Sequence, residues 1–153
     1  MSFEGIDARV PYDYQHRRPL MELDFPVGEF ERRLLALQDS TDLDAIVVHG
    51  GAGYESDVRY LSGFASYFGD VVVVVPPRGE PVLITNAIYH GEPLHSNLQK
   101  TWLRDVRPLL NPHSTGRPQS VAAAAADVIR SWGASTGRVG LADLRHMTWR
   151  FRS

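Results

Sequence analysis

The sequence predicts an α/β domain, a mixed β-sheet with helices on both faces. Three stretches carry that expectation. Val71–Val75 is a run of five consecutive valines, and a strand without polar alternation is one whose two faces are both covered. "PPRGE" (76–80) and "PVLITN" (81–86) follow it, and a turn that short joins only antiparallel strands. Upstream, "VGEFERRLLALQDSTDLD" from residue 27 places Phe30, Leu34 and Leu37 at i, i+4, i+7 with Leu35 beside them. That is one apolar stripe of an amphipathic helix, ending near Asp39–Thr41.

The remaining elements fall around these. Residues 1–26 alternate proline, charge and aromatics, with Pro11, Pro19 and Pro26 as breaks, and read as an irregular arm. "DAIVVHG" (44–50) is a short β-branched strand closed by Gly50-Gly51. "DVRYLSGFASYFG" (57–69) reads as an aromatic-rich loop leading into the valine strand. "TWLRDVRPLL" is strand-like, with Trp102, Leu103 and Val106, and "NPHSTGRP" is a loop. Pro118 suits a first helical position. Val121, Ala125, Val128, Ile129 and Trp132 then form a helical face that stops at Gly133. "RVGLADL" (138–144) is a last strand. "RHMTWRFRS" begins a further helix with Met147, Trp149 and Phe151, but about two turns are marginal alone, so the sequence reads as cut.

At 153 residues the chain suits one domain, which buries roughly 70% of its unfolded surface without a staple. Net charge is −2, from 16 basic and 18 acidic residues, so no basic field calls for nucleic acid. There are no cysteines. That excludes disulfides, thiolate nucleophiles and cysteine-based zinc sites, and it fits a reducing cytosol. The N-terminal stretch has neither a basic nor an apolar leader region. The longest apolar run, Val71–Pro77, is far short of the ~20 residues of a membrane span. The expectation is a cytoplasmic protein with neither nucleic-acid nor membrane partners.

The residues alone build no active site. "HGGAGYES" (49–56) follows a strand and is glycine-rich, but Ser56 stands where a dinucleotide fingerprint needs a third glycine, and no Gly-Lys-Ser/Thr occurs. It reads as a tight strand exit. "YHGEPLH" (89–95) holds His90, Glu92 and His95; Pro93 breaks the helix that a helical zinc site requires. His90 and His95 are therefore weak candidates, as is His49 at the end of its strand. No G-x-S-x-G elbow is present, and Ser62 has no identifiable base. Asp42, Asp44, Glu55, Asp57, Asp70 and Asp105 are scattered, with no pair spaced for acid–base work.

"DVRYLSGF…YFGDVVVVVPPRGEPVLIT" resembles the N-terminal domain of the creatinase/prolidase/Xaa-Pro aminopeptidase family, the pita-bread hydrolases. "EFERRLLALQ", "LDAIVVHG", "VRYLSGF", the apolar hairpin, "WLRDVRPLL", a long helix and "GRVGLADLRHMTWRFR" follow in the family's order, over about residues 25–153. The resemblance implies a ribonuclease H-like three-layer sandwich over 27–153. It places the catalytic machinery in a C-terminal pita-bread domain that is absent here. In the peptidases that domain holds a dinuclear divalent metal, and creatinase uses none. This chain is then expected to hold no cofactor or catalytic residue of its own.

The same resemblance implies a homodimer in which this domain lends residues to the neighbouring subunit's substrate pocket. In creatinase the lending stretch is Phe-Gly-Arg at the start of the apolar strand. Phe68, Gly69 and Asp70 stand there in this chain. Phe68 keeps the ring and Asp70 reverses the charge, which turns the expectation from creatine towards a cationic or amine-bearing substrate. Tyr67, Phe68 and Asp70 are the pocket candidates, while Tyr60 and Phe64 are expected to anchor the loop in the core. The alternative in which all four rings simply pack stays open.

The leading reading is thus a non-catalytic domain of a hydrolase that mediates dimerisation and completes a partner's pocket. The alternative is a free-standing protein-interaction or small-molecule-binding module that has lost the catalytic domain, with Met147, Trp149 and Phe151 as a docking face. A weaker third reading is an independent enzyme using His49, His90 or His95.

Overall fold

A computed structural model of the chain describes residues 23–51, 54, 56–64, 69–86, 101–109 and 120–142. Among them the elements run α1 (Val27–Asp39), β1 (Ala45–Gly51), α2 (Ser56–Ser62), β2 (Asp70–Val75), β3 (Val82–Thr85), β4 (Asp105–Pro108), α3 (Val121–Ser131) and β5 (Val139–Ala142). The strands form one five-stranded sheet in the order β4-β3-β2-β1-β5. β2 runs antiparallel to β1 and β3, while β1–β5 and β3–β4 are parallel pairs. The sheet is mixed and helices cover both faces, as the sequence predicts.

The valine run is the central strand. All six residues of β2 are buried. Val71, Val73 and Val75 turn to the face where Phe30 and Leu34 of α1 and Val58 and Leu61 of α2 pack. Val72 and Val74 turn to the opposite face, against Val121, Ala125, Val128 and Ile129 of α3. Each such side chain contributes roughly 1.5–3 kcal/mol relative to leaving it exposed, so a polar replacement at any of the five valines would be costly.

α1 and α3 match their sequence signals. α1 starts directly after Pro26 and stops at Asp39. In α3 the Ser120 hydroxyl accepts the Ala123 N–H as an N-cap, and Gly133 beyond its end has φ 76°, the left-handed turn that glycine takes without strain. Trp132, expected on the buried face, sits just past the helix and is 36% exposed. Pro118, expected at the first helical position, lies outside the described residues, and α3 itself begins three residues later at Val121. β4 is shorter than "TWLRDVRPLL" suggested. Trp102 and Leu103 are buried but irregular, and the Trp102 ring stacks on Phe30 with its Nε1–H donated to the Leu61 carbonyl at 2.8 Å. Pro108 ends β4 at the sheet edge, where a missing N–H is tolerated.

One element was misread. Residues 56–62, expected as loop, form α2. Val58, Leu61 and Ser62 share its buried face at helical spacing. The Ser62 hydroxyl donates to the Val58 carbonyl at 2.6 Å and accepts the Phe64 N–H at 3.1 Å, and Gly63 with φ 72° turns the chain out of the helix. Phe64 is fully buried, as expected. Tyr60 is 53% exposed, because the helical turn carries position 60 away from the core. Its ring instead covers the Arg33 guanidinium at 4.3 Å, with Phe25 at 4.4 Å from the same group. Arg33 also donates to Glu29 and to the Tyr60 carbonyl, so this buried cation is paired, stacked and used to join α1 to α2.

No described helix is long and apolar enough to cross a membrane. The described part of the proposed arm, residues 23–26, precedes α1 without helix or strand; residues 1–22 lie outside the described set.

Candidate functional site

The register of β1 on β2 pairs Gly51 with Asp70 and His49 with Val72. Successive side chains alternate between faces, so His49 and Asp70 stand diagonally on the α3 side of the sheet. Their approach is close: His49 Nε2 lies 3.5 Å from Asp70 Oδ1. Tyr54 completes the group. Its N–H bonds the Gly51 carbonyl at 3.0 Å, its ring lies 5.7 Å from the imidazole, and its hydroxyl donates to Asp70 Oδ1 at 3.3 Å.

The backbone at Asp70 is pinned. Its N–H donates to Asn86 Oδ1 at 2.6 Å. Its carbonyl accepts from the Asn86 N–H at 3.2 Å and from Thr85 Oγ1 at 3.2 Å. β3 thereby fixes the start of β2 from the neighbouring strand.

His49 is 6% exposed, and its Nδ1 is buried with no hydrogen-bond partner among the described residues. A neutral ring that keeps its hydrogen on Nε2, facing the carboxylate, leaves Nδ1 as a lone-pair acceptor. An acceptor buried this way without a donor costs about 1–3 kcal/mol. Native structures seldom carry such an atom without a use for it.

The three side chains stand at one end of a cleft of about 320 Å³ between the sheet and α3, at the lower end of the ~300–1,000 Å³ usual for ligand pockets. Its cause lies in the helix. α3 leans over β2 and β3, and Ala122, Ala125 and Ala126 leave room above β1 and β5. Val139 and Leu141 line that side, at 37% and 53% exposure. The lining is apolar except at the His49, Tyr54 and Asp70 end and at Ser120.

Of the residues singled out in the sequence, the structure brings His49 and Asp70 together. Tyr67, Phe68, His90 and His95 lie outside the described residues, as do Met147, Trp149 and Phe151. Among the described residues no three histidine, cysteine, aspartate or glutamate side chains cluster as metal ligands. Tyr54 was missed, and so was Asn86. The only trace of Tyr54 in the sequence is its place three residues after Gly51, where a turn returns it over the strand. What the group offers is a carboxylate that accepts from the Tyr54 hydroxyl and faces the His49 ring at one end of an apolar cleft.

A family model described as the Creatinase/Prolidase N-terminal domain matches residues 32–153. Comparison with curated proteins and with solved structures gives no match.

Proposed function

The chain belongs to the family of creatinase/prolidase N-terminal domains, and from that membership we propose that it is the non-catalytic domain of a creatinase- or Xaa-Pro-peptidase-like hydrolase. In this reading it pairs with a second copy and lends residues to that copy's substrate pocket. The bond-breaking chemistry, with any dinuclear metal it uses, belongs to a C-terminal pita-bread domain outside these 153 residues. The observation that carries the reading is the family match over residues 32–153.

Residues 65–68 lie outside the described residues, and the chain on either side of them is fixed. Phe64 is fully buried on one side of residues 65–68, and Asp70 is tied to β3 by three hydrogen bonds on the other. Asp70 brings negative charge to the position, which favours a cationic or amine-bearing substrate and disfavours a carboxylate. A cytoplasmic setting fits a sequence without cysteine.

The test is a photo-crosslinking amino acid in place of Phe68 in the purified chain. Capture of a second copy, at twice the chain mass and dependent on protein concentration, is expected. Adducts confined to a single chain at every concentration would refute the lending role.

A further inference from the structure

We propose that residues 143–153, the stretch of this chain that follows β5, fold back over the cleft between α3 and the β1–β5 side of the sheet and close it with Leu144, Met147 and Phe151. Residues 143–153 lie outside the described set, whereas the surface they would cover is described. The closure involves one copy of the domain and is independent of any meeting between Phe68 and a second copy.

The β5 side is the one that needs a cover. β4, at the other end of the sheet order, carries Asp105, Arg107 and Pro108 among its four residues, the charges and proline that keep an edge from pairing. β5 is Val-Gly-Leu-Ala, with no charge and no proline. Its Val139 and Leu141 pair with Ala45 and Val47 of the α3-side core, yet are 37% and 53% exposed. Ala122 and Ala126, one turn apart on α3, border the same cleft with only methyl groups. Contiguous apolar surface of this kind marks a contact site.

The occupant follows from the chain itself. Leu141 lines the cleft, and Met147 is only six residues further on, within roughly 20 Å of it even at full extension. So short a tether holds the segment at an effective concentration in the millimolar range, which a second copy at ordinary protein concentrations does not match. The family match runs through residue 153, so these residues belong to the domain. In the sequence Leu144, Met147 and Phe151 stand at i, i+3, i+7, the spacing of one helical stripe, and a helix of about two turns is marginal unless it docks. Trp149 falls outside that stripe and plays no part in the closure. The opposite face of the sheet is the poorer choice, because the groove beside Ala142 there is bordered by Arg33, Ser40 and Asp57. Closed in this way, the cleft is a packing surface and not a ligand pocket.

The experiment places a photo-crosslinking phenylalanine analogue at position 151 of the purified 153-residue chain. The expected result is an adduct within one chain to Ala122 or Ala126 of α3, mapped by peptide mass spectrometry and unchanged on dilution. A product at twice the chain mass would make a second copy the occupant and overturn the proposal, as would adducts that miss α3. A second chain carries Leu144→Ser, Met147→Ser and Phe151→Ser together. Amide exchange at β5 should then rise about tenfold or more, the scale of one apolar side chain returned to water. Circular dichroism checks that this variant keeps its fold; if it does not, the adducts from position 151 decide. Unchanged exchange at β5 in the folded variant would overturn the proposal. None of these readouts depends on capture at position 68.

Discussion

A Cβ placed on Gly51 would meet the Tyr54 hydroxyl oxygen at 2.7 Å, so the bare backbone at 51 is what lets the phenol reach Asp70. The same Cβ would stand 3.0 Å from the Gly69 carbonyl, which has less freedom to move than a ring. Gly51→Ala is expected to push Tyr54 away from Asp70 and to destabilise the fold by about 1–3 kcal/mol, the usual cost of overpacking. Chemical denaturation measures the loss. Tyr54→Phe, which removes the hydroxyl and keeps the ring, should cost less. Equal losses for the two variants would show that crowding at Gly51 is not the cause.

Gln38 is a second single-residue fastening. It is 4% exposed, and its Nε2 donates to the Pro76 carbonyl at 3.0 Å and to the Gly79 carbonyl at 2.9 Å. α1 thereby holds the β2–β3 turn. Gln38→Ala leaves those carbonyls without that donor and is expected to cost about 1–3 kcal/mol. Gln38→Glu replaces the donor with an acceptor and should cost more. Hydrogen exchange at the turn should rise in both variants. An unchanged denaturation midpoint in Gln38→Ala would contradict the fastening role.

Acid sensitivity has a defined window. Hydrogen bonds from Arg32 and then Arg33 lower the Glu29 carboxyl from 4.5 to about 2, and a hydrogen bond from Arg138 lowers Asp42. A carboxyl lowered by folding stabilises the native state above its unfolded value, and that contribution disappears as pH falls towards the folded one. For Glu29 the loss therefore spans pH 4.5 down to about 2. The Arg32–Glu29 and Arg138–Asp42 pairs reach solvent, so salt should shrink the effect. Thermal melts against pH should show a shallower acid slope for Glu29→Gln than for the native chain at low salt. Identical slopes would contradict the assignment.

The parts legible in the sequence are those whose signal is local. Five valines without alternation mark a strand covered on both faces because that burial removes any need for polar residues. The hairpin follows from the short proline–glycine turn, and α3 from an apolar period ending in glycine. α2 was not legible. Seven residues carry one narrow apolar face, and their neighbours are glycines and aromatics that also suit a loop. The His49–Tyr54–Asp70 group was not legible as a group either. His49 and Asp70 meet only through the register that pairs Gly51 with Asp70, and register is decided between strands. The cleft depends on how α3 leans across the sheet, which no spacing within α3 records.

The most direct measurement is hydrolysis by the purified chain itself. Xaa-Pro dipeptides and creatine are incubated with it, with and without added manganese, cobalt or zinc. Turnover no greater than in buffer with the same metal is expected from a domain that only completes another subunit's pocket. A saturable, metal-dependent rate that co-purifies with the chain would contradict the non-catalytic reading outright.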